Sequence, residues 1–534
     1  MRIREIAKAV YGCVRAPVLL IVLMNHGILA QTPESSLTST HEPCLMCHTA
    51  QAGNFIHDSQ DVSPVGTWRS SMMAFAAKDP YWLAKVSAEV AARPSIKSVI
   101  EAECVTCHAP LGSVEAHDEG VPYAKADIRS DPKGADGGSC IACHKIQDEN
   151  LGTRSAMSGG YTITKDPEVF GPYESPLQRP MWMHTRFVPT YSPHIEASAL
   201  CASCHNLYTP IFDEDLKVIG EYPEQVPYSE WVVSDFPQQG VTCQSCHLDR
   251  VELETPISSH PPWLSSRKPV WDHRIVGGNT FMLSLIRDNV EELGISVPAE
   301  EIESTILKTR EMLQNRTLRL DVDAVPATDS LDIVVTVTNL TGHKFPTAYP
   351  ERRSWIHLTV RDSQEKILFE SGRPDSIGRI APSADKDYHP HHDVIRHTNE
   401  IQVYEIVPTD RSGNATRRLL SAAGAAKDNR ILPRGFDPSR HELGVDVPVI
   451  GQAENDPNFD PETGSDRVTY RLARTDSERL QVTVDVYYQS IPPGAIDDLR
   501  PFRDEDVIAF IRMVDGMKDR SPEKIAFAEL IVEL

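Results

Sequence analysis

The sequence predicts an α+β multidomain protein, in which a mostly helical, loop-rich segment precedes an antiparallel β-sandwich. Three observations predict it. Ten of the eleven cysteines fall in five identical Cys-x-x-Cys-His units between residues 44 and 247. Proline is frequent, at 40 of 534 residues against about 5% in ordinary proteins, and favours loops. Beyond residue 318 the apolar residues alternate with period two between Gly, Pro and Asp breaks. A chain of this length holds several domains. We place the boundaries after residues 30, 280 and 318.

Residues 1–30 read as a cleaved secretory signal. Arg2, Arg4, Lys8 and Arg15 precede the apolar run 16–24, and Gly27-Ile-Leu-Ala30 supplies a small-residue cut site. The run is shorter than the roughly 20 residues of a spanning helix and ends at Asn25-His26. Cys13 leaves with the signal. The expected location is therefore periplasmic, extracellular or at the cell surface, with no stable membrane span. Formal charge is −23, and a surface of this sign repels nucleic acid.

The five units are Cys44-Leu-Met-Cys47-His48, Cys104-Val-Thr-Cys107-His108, Cys140-Ile-Ala-Cys143-His144, Cys201-Ala-Ser-Cys204-His205 and Cys243-Gln-Ser-Cys246-His247. Two cysteines three positions apart on a helical turn can form thioethers to both vinyl groups of one haem, and the adjacent histidine can bind its iron. Disulfides, the usual fate of exported cysteines, explain neither the fixed spacing nor the five histidines. Zinc normally pairs two such units in one tetrahedral site, which an odd number fits poorly. The expected cofactors are five covalently bound haem c groups, with His48, His108, His144, His205 and His247 as proximal ligands.

A low-spin haem needs a second axial ligand. Outside the units, residues 41–273 hold seven histidines: His41, His57, His117, His184, His194, His260 and His273. Met72 and Met73 offer a thioether instead. Five haems over residues 44–247 would form much of the core themselves, close enough for electrons to pass between them.

On these residues the sequence resembles the multihaem cytochrome c family that includes cytochrome c554 (the cytochrome c-552/4 type haem domain), and more distantly the hydroxylamine-oxidoreductase-type cytochromes, over roughly residues 41–280. The resemblance implies a distal histidine five residues after Trp68, where this chain has Met73. It also nominates His184, through the stretch Phe170-Gly-Pro172 to Ser198-Ala-Leu-Cys201, and His273, through His273-Arg-Ile-Val-Gly-Gly278. The distal candidates are thus Met73, His117, His184, His194 and His273.

Apolar spacing over residues 281–313, with Pro298 opening the second stretch, predicts a helical connector over 281–318. Residues 331–338, 355–361, 468–472 and 480–488 read as strands of an immunoglobulin-like sandwich over 319–534. His343 sits in a turn there and could reach across to a haem, although a loop histidine without metal is the commoner case. Tyr388-His-Pro-His-His-Asp393 with His397 could hold a metal, or form a solvated loop. Asp456-Pro-Asn-Phe-Asp460 alternates oxygen ligands as calcium loops do, but Pro461 and Arg467 depart from that pattern.

The leading functional reading is an exported electron carrier docking transiently with other redox proteins or cytochromes. A second is a haem-dependent oxidoreductase acting on a small nitrogen or sulfur compound at an open iron. The histidine that ends every unit favours the carrier, so no catalytic residue is nominated. A third is a subunit of an extracellular cytochrome filament or other homo-oligomer.

Overall fold

The computed structural model describes residues 37–51, 54–261, 263–381 and 388–534. The signal segment 1–30 and Cys13 lie outside the described residues. No helix among the described residues is long and apolar enough to cross a membrane.

Up to residue 315 the chain is a succession of short helices, loops and two-stranded ribbons. Each helix has a local cause. Pro80–Ala92 starts where the Asp79 carboxylate accepts from the backbone N–H groups of Tyr81 (2.8 Å) and Trp82 (3.3 Å), with Pro80 in the first turn. Helices Thr280–Asp288 and Ala299–Asn315 occupy the span of the expected connector. They bury Leu283, Ile286, Ile302 and Ile306 against Phe75.

From residue 318 two sheets dominate. In one, Ser330–Asn339 lies between Leu318–Pro326 and Ser465–Ala473, with Val335 opposite Val322 and Val468. In the other, Arg353–Asp362 lies between Ile367–Ser371 and Arg479–Gln489, which pairs onward with Glu523–Glu533. Alternation along 330–339 buries Leu331, Ile333, Val335 and Val337. These join Ile356, Leu358, Val360, Val482, Val484 and Val486 of the second sheet in one apolar cluster.

Two expectations need correction. The sheets are not wholly antiparallel, because Val394–Ile395 pairs parallel with Thr469–Tyr470. Nor is the second half all strand, because helices Pro493–Leu499 and Glu505–Gly516 follow the strand Arg479–Gln489. The second helix is capped by Asp504, whose carboxylate accepts from the Asp506 N–H, and it buries Val507, Phe510, Met513 and Val514 at helical spacing. It packs on Pro80–Ala92, so Tyr81, Ala84 and Ala88 share a core with the second half. Buried polar contacts cross the same boundary: Lys85 Nζ lies 3.1 Å from Glu351 Oε1, and Tyr81 donates to the same carboxylate.

Candidate metal centres

All five Cys-x-x-Cys-His units end helices, with the histidine as the last helical residue: Glu42–His48, Lys97–His108, Cys140–His144, Ser198–His205 and Cys243–His247. A helical turn puts both thiols on one side with the imidazole one step on. Local contacts hold these short helices. In the fifth, Thr242 Oγ1 accepts from Ser245 N–H at 3.3 Å while Ser245 Oγ accepts from Thr242 N–H at 3.0 Å.

Contacts between units are closer still. Asp136, just ahead of the third unit, accepts at 2.8 Å from the His41 N–H that opens the first helix and meets His41 Nδ1 at 2.5 Å. Cys243 N–H donates to Ser198 Oγ at 3.0 Å, and Gln244 Nε2 donates to Ala197 O at 2.9 Å, tying the fifth unit to the fourth. Thiols of different units also stand near one another in three pairs, Cys140 by Cys44, Cys204 by Cys107 and Cys201 by Cys243, and in each the neighbour raises the pKa of the first-named thiol. The units therefore lie in one connected cluster: Asp136 joins the first to the third, Ile146 just after the third packs with Leu200 just before the fourth, the segment 159–161 bonds to Ser203 O of the fourth and Thr106 O of the second, and Ser198 holds the fifth to the fourth. None of the ten cysteines is paired in a disulfide.

The histidines are prepared as ligands. Nδ1 meets a backbone carbonyl in four of them: His48 with Ile257 (2.8 Å), His108 with Ala76 (3.0 Å), His144 with Phe170 (2.6 Å) and His247 with Val276 (2.6 Å). A carbonyl can only accept, so the proton is assigned to Nδ1 and Nε2 keeps its lone pair. Desolvation lowers the pKa of all five, His108 and His205 to about 4, so they stay neutral donors at pH 7. Trp82 lies parallel to the His108 ring, centroids 4.4 Å apart.

Two further imidazoles face these. The His273 ring centroid stands 6.4 Å from that of His144 with 25° between planes, and His343 stands 6.3 Å from His247 with 14° between planes. His273 Nδ1 donates to Trp271 O at 2.8 Å, and His343 Nδ1 to Lys344 O at 2.8 Å. Burial lowers the pKa of both to about 4. Two imidazoles sharing one metal, each at about 2.0–2.1 Å, would stand about 4 Å apart nitrogen to nitrogen and about 6 Å centroid to centroid. The donor set thus fits an axially ligated iron beside paired thiols.

The other distal candidates are placed differently. His194 is buried with both ring nitrogens engaged, Nδ1 with Ser192 Oγ (2.7 Å) and Nε2 with Ile146 O (2.9 Å), and so has no nitrogen to offer a metal. His117 and His184 are exposed on helices Pro110–Glu119 and Gln178–Thr185. Met73 packs on the chain just ahead of Cys140: a side chain at Gly138 would meet its Cε at 2.6 Å and its Sδ at 3.7 Å.

The histidine cluster of the second half does not gather as a whole. His391, Asp456 and Asp466 come together, with His391 Nε2 2.9 Å from Asp456 Oδ2. His391 Nδ1, however, accepts from Gln402 Nε2 (2.8 Å) and Asn429 Nδ2 (3.0 Å). Both amides are oriented by backbone N–H groups on their oxygens, from His392 and Glu405. The proton is therefore assigned to Nε2, which points it at Asp456 and away from service to a metal. The acidic run 456–460, a poor match to a calcium loop by its sequence, does not converge either, since Asp460 turns its oxygens to Glu462 and Thr463 of its own turn. A cavity of about 630 Å³ between Thr280–Asp288 and Pro493–Leu499 lies away from all five units. Arg287, Arg310 and Arg500, which line it, are paired with acids.

No family model and no curated protein matches the sequence. The fold is shared with a multihaem cytochrome. A crystal structure of a penta-haem cytochrome c552 from Thermochromatium tepidum aligns over 93% of this chain and 99% of its own, with a TM-score of 0.51 and 14% identity.

Proposed function

We propose that this protein is a pentahaem c-type cytochrome that relays electrons along closely spaced haems to or from a redox partner. The observation that carries the reading is the connected cluster of five units, joined across their boundaries by hydrogen bonds such as His41 N–H to Asp136 and Cys243 N–H to Ser198 Oγ. Haem c supplies reversible one-electron chemistry, and electron transfer between such centres depends on proximity. Ten cysteines would hold the vinyl edges, and His48, His108, His144, His205 and His247 would bind the irons, with His273 opposite His144. The carbonyls on Nδ1 of His48, His108, His144 and His247 fix those four rings and raise their basicity. Export through the 1–30 signal, a haem region to residue 280, a sandwich of the two facing sheets and transient docking of a basic or haem-exposing partner complete the proposal.

The test is a pyridine haemochrome and intact mass on the exported protein, followed by redox titration. Five haems per chain, reduced in successive one-electron steps and re-oxidised by a second cytochrome, are expected. A bare polypeptide mass would refute the reading. A high-spin iron whose spectrum shifts with nitrite or hydroxylamine would favour the oxidoreductase reading, and sedimentation of long polymers the filament.

A further inference from the structure

We propose that His343, on the loop between strands Ser330–Asn339 and Arg353–Asp362, is the second axial ligand of the iron bound by His247, so that the second half of the chain completes the fifth haem site. This rests on the haem reading above. The separation of the two rings, 6.3 Å, matches the 6.4 Å of His144 and His273, although the pairs come from unrelated segments. In both rings Nδ1 is committed to a backbone carbonyl, Val276 for His247 and Lys344 for His343, so each has Nε2 for a shared metal.

The loop that carries His343 is built to stay where it is. Asn339 Nδ2 donates to His343 O at 2.7 Å and to Ile431 O at 3.0 Å. Lys344 is fully buried; its N–H donates to Glu230 Oε2 at 3.1 Å and its Nζ to Asp428 Oδ2 at 2.7 Å. Arg430 joins Asp428 (2.8 Å) and stands in an ion pair with Glu230 Oε1 (2.8 Å). Glu230 lies in helix Pro227–Val232, shortly before the fifth unit. Two cations and two anions, all buried, thus clamp the loop to the region that holds Cys243 and Cys246. Gly342 permits the approach, since a Cβ there would meet Trp231 Cδ1 at 3.0 Å and the Phe236 ring at 3.2 Å. A surface loop needs no such anchoring, and a ligand arm does.

The experiment compares the full chain with His343→Ala and His343→Met variants, scoring haem count by pyridine haemochrome, spin state by electron paramagnetic resonance, and carbon monoxide uptake by the reduced protein. The Ala variant is expected to keep five haems, to convert one to high spin and to take up one more carbon monoxide per chain than the parent. Added imidazole should reverse the spin change. The Met variant should gain one methionine-to-iron charge-transfer band, which keeps the question open to test if the Ala variant fails to fold. A haem-complete variant with the parent's spin states and carbon monoxide uptake would overturn the assignment. A parent without haem would instead overturn the reading on which it rests.

Discussion

The two halves of the molecule build their interiors in different ways. In the sheets, a single cluster of twenty-three buried apolar side chains runs through both layers. Around the Cys-x-x-Cys-His units the apolar residues fall into several separate clusters, from Phe55, Val62 and Val270 up to the ten that include Val105 of the second unit, and Ala202 of the fourth packs with residues of the second half. Helices Glu42–His48 and Gln178–Thr185 bury no residue. A short helix is unstable in water without something to pack on. The second half is thus held by one continuous core of its own side chains, whereas the first divides its burial among several clusters and, on the haem reading proposed above, would depend also on the groups its thiols and imidazoles bind.

The largest expected effect follows from that contrast. Made in a host unable to attach haem, the chain should lose protease protection around all five units while the strands from residue 318 onward stay protected. Mass spectrometry of limited digests reads this directly, and uniform digestion would break the comparison. Next come substitutions that separate the two kinds of core. Glu230→Ala leaves Arg430 and Lys344 short of a buried partner and should cost about 3–5 kcal/mol in denaturant unfolding. Ile333→Ala, inside the sheets, should cost about 2–5 kcal/mol and leave the haem spectrum unchanged.

A pH experiment sharpens the picture within the sheets. Burial raises the Asp466 pKa to about 7, although Tyr404 and Gln402 donate to its Oδ2. An acid whose folded pKa stands above its unfolded value contributes stability below about pH 4, and that contribution is lost as pH rises through about 7. His391, with its pKa lowered by burial, runs the opposite way. The readout is therefore the difference between parent and Asp466→Asn: the variant should gain on the parent steadily from pH 4 to 7, and a constant difference would refute the shift. The smallest effect is expected at His194→Ala. It frees the Ile146 carbonyl and should cost about 1–3 kcal/mol with no change in any spin state, whereas His273→Ala should yield one high-spin iron.

Much of the site can be read from the sequence because its chemistry resides in side chains at fixed spacing. The five units are visible as strings, and His273 stands where the family resemblance nominates it. What supports them cannot be read in this way. The partners of His48, His108, His144 and His247 are main-chain oxygens of Ile257, Ala76, Phe170 and Val276, which any residue would supply. Asp136 and Trp82 became recognisable only through their neighbours in space. His194 looks like the other histidines in the sequence, and is distinguished by Ser192 and Ile146 closing on both its nitrogens. In the fold, alternation located the central strands, since each has one buried face. Helix Glu505–Gly516 was legible in its Asp504 cap and its apolar spacing, but the surrounding period-two pattern obscured it. The pairing of Val394–Ile395 with Thr469–Tyr470 joins segments distant in sequence and leaves no local trace.

The meeting of Cys44 with Cys140, Cys107 with Cys204 and Cys201 with Cys243 also bears on how the chain must mature. Neighbouring thiols can become disulfides in an oxidising compartment, and these three pairings join different units, so that each would take a cysteine needed for haem attachment in the proposed reading. Once such a crosslink closed, neither unit could be completed. On the haem reading proposed above, these thiols would have to stay reduced until each unit has taken its porphyrin. Attachment would then precede, and protect against, crosslinking.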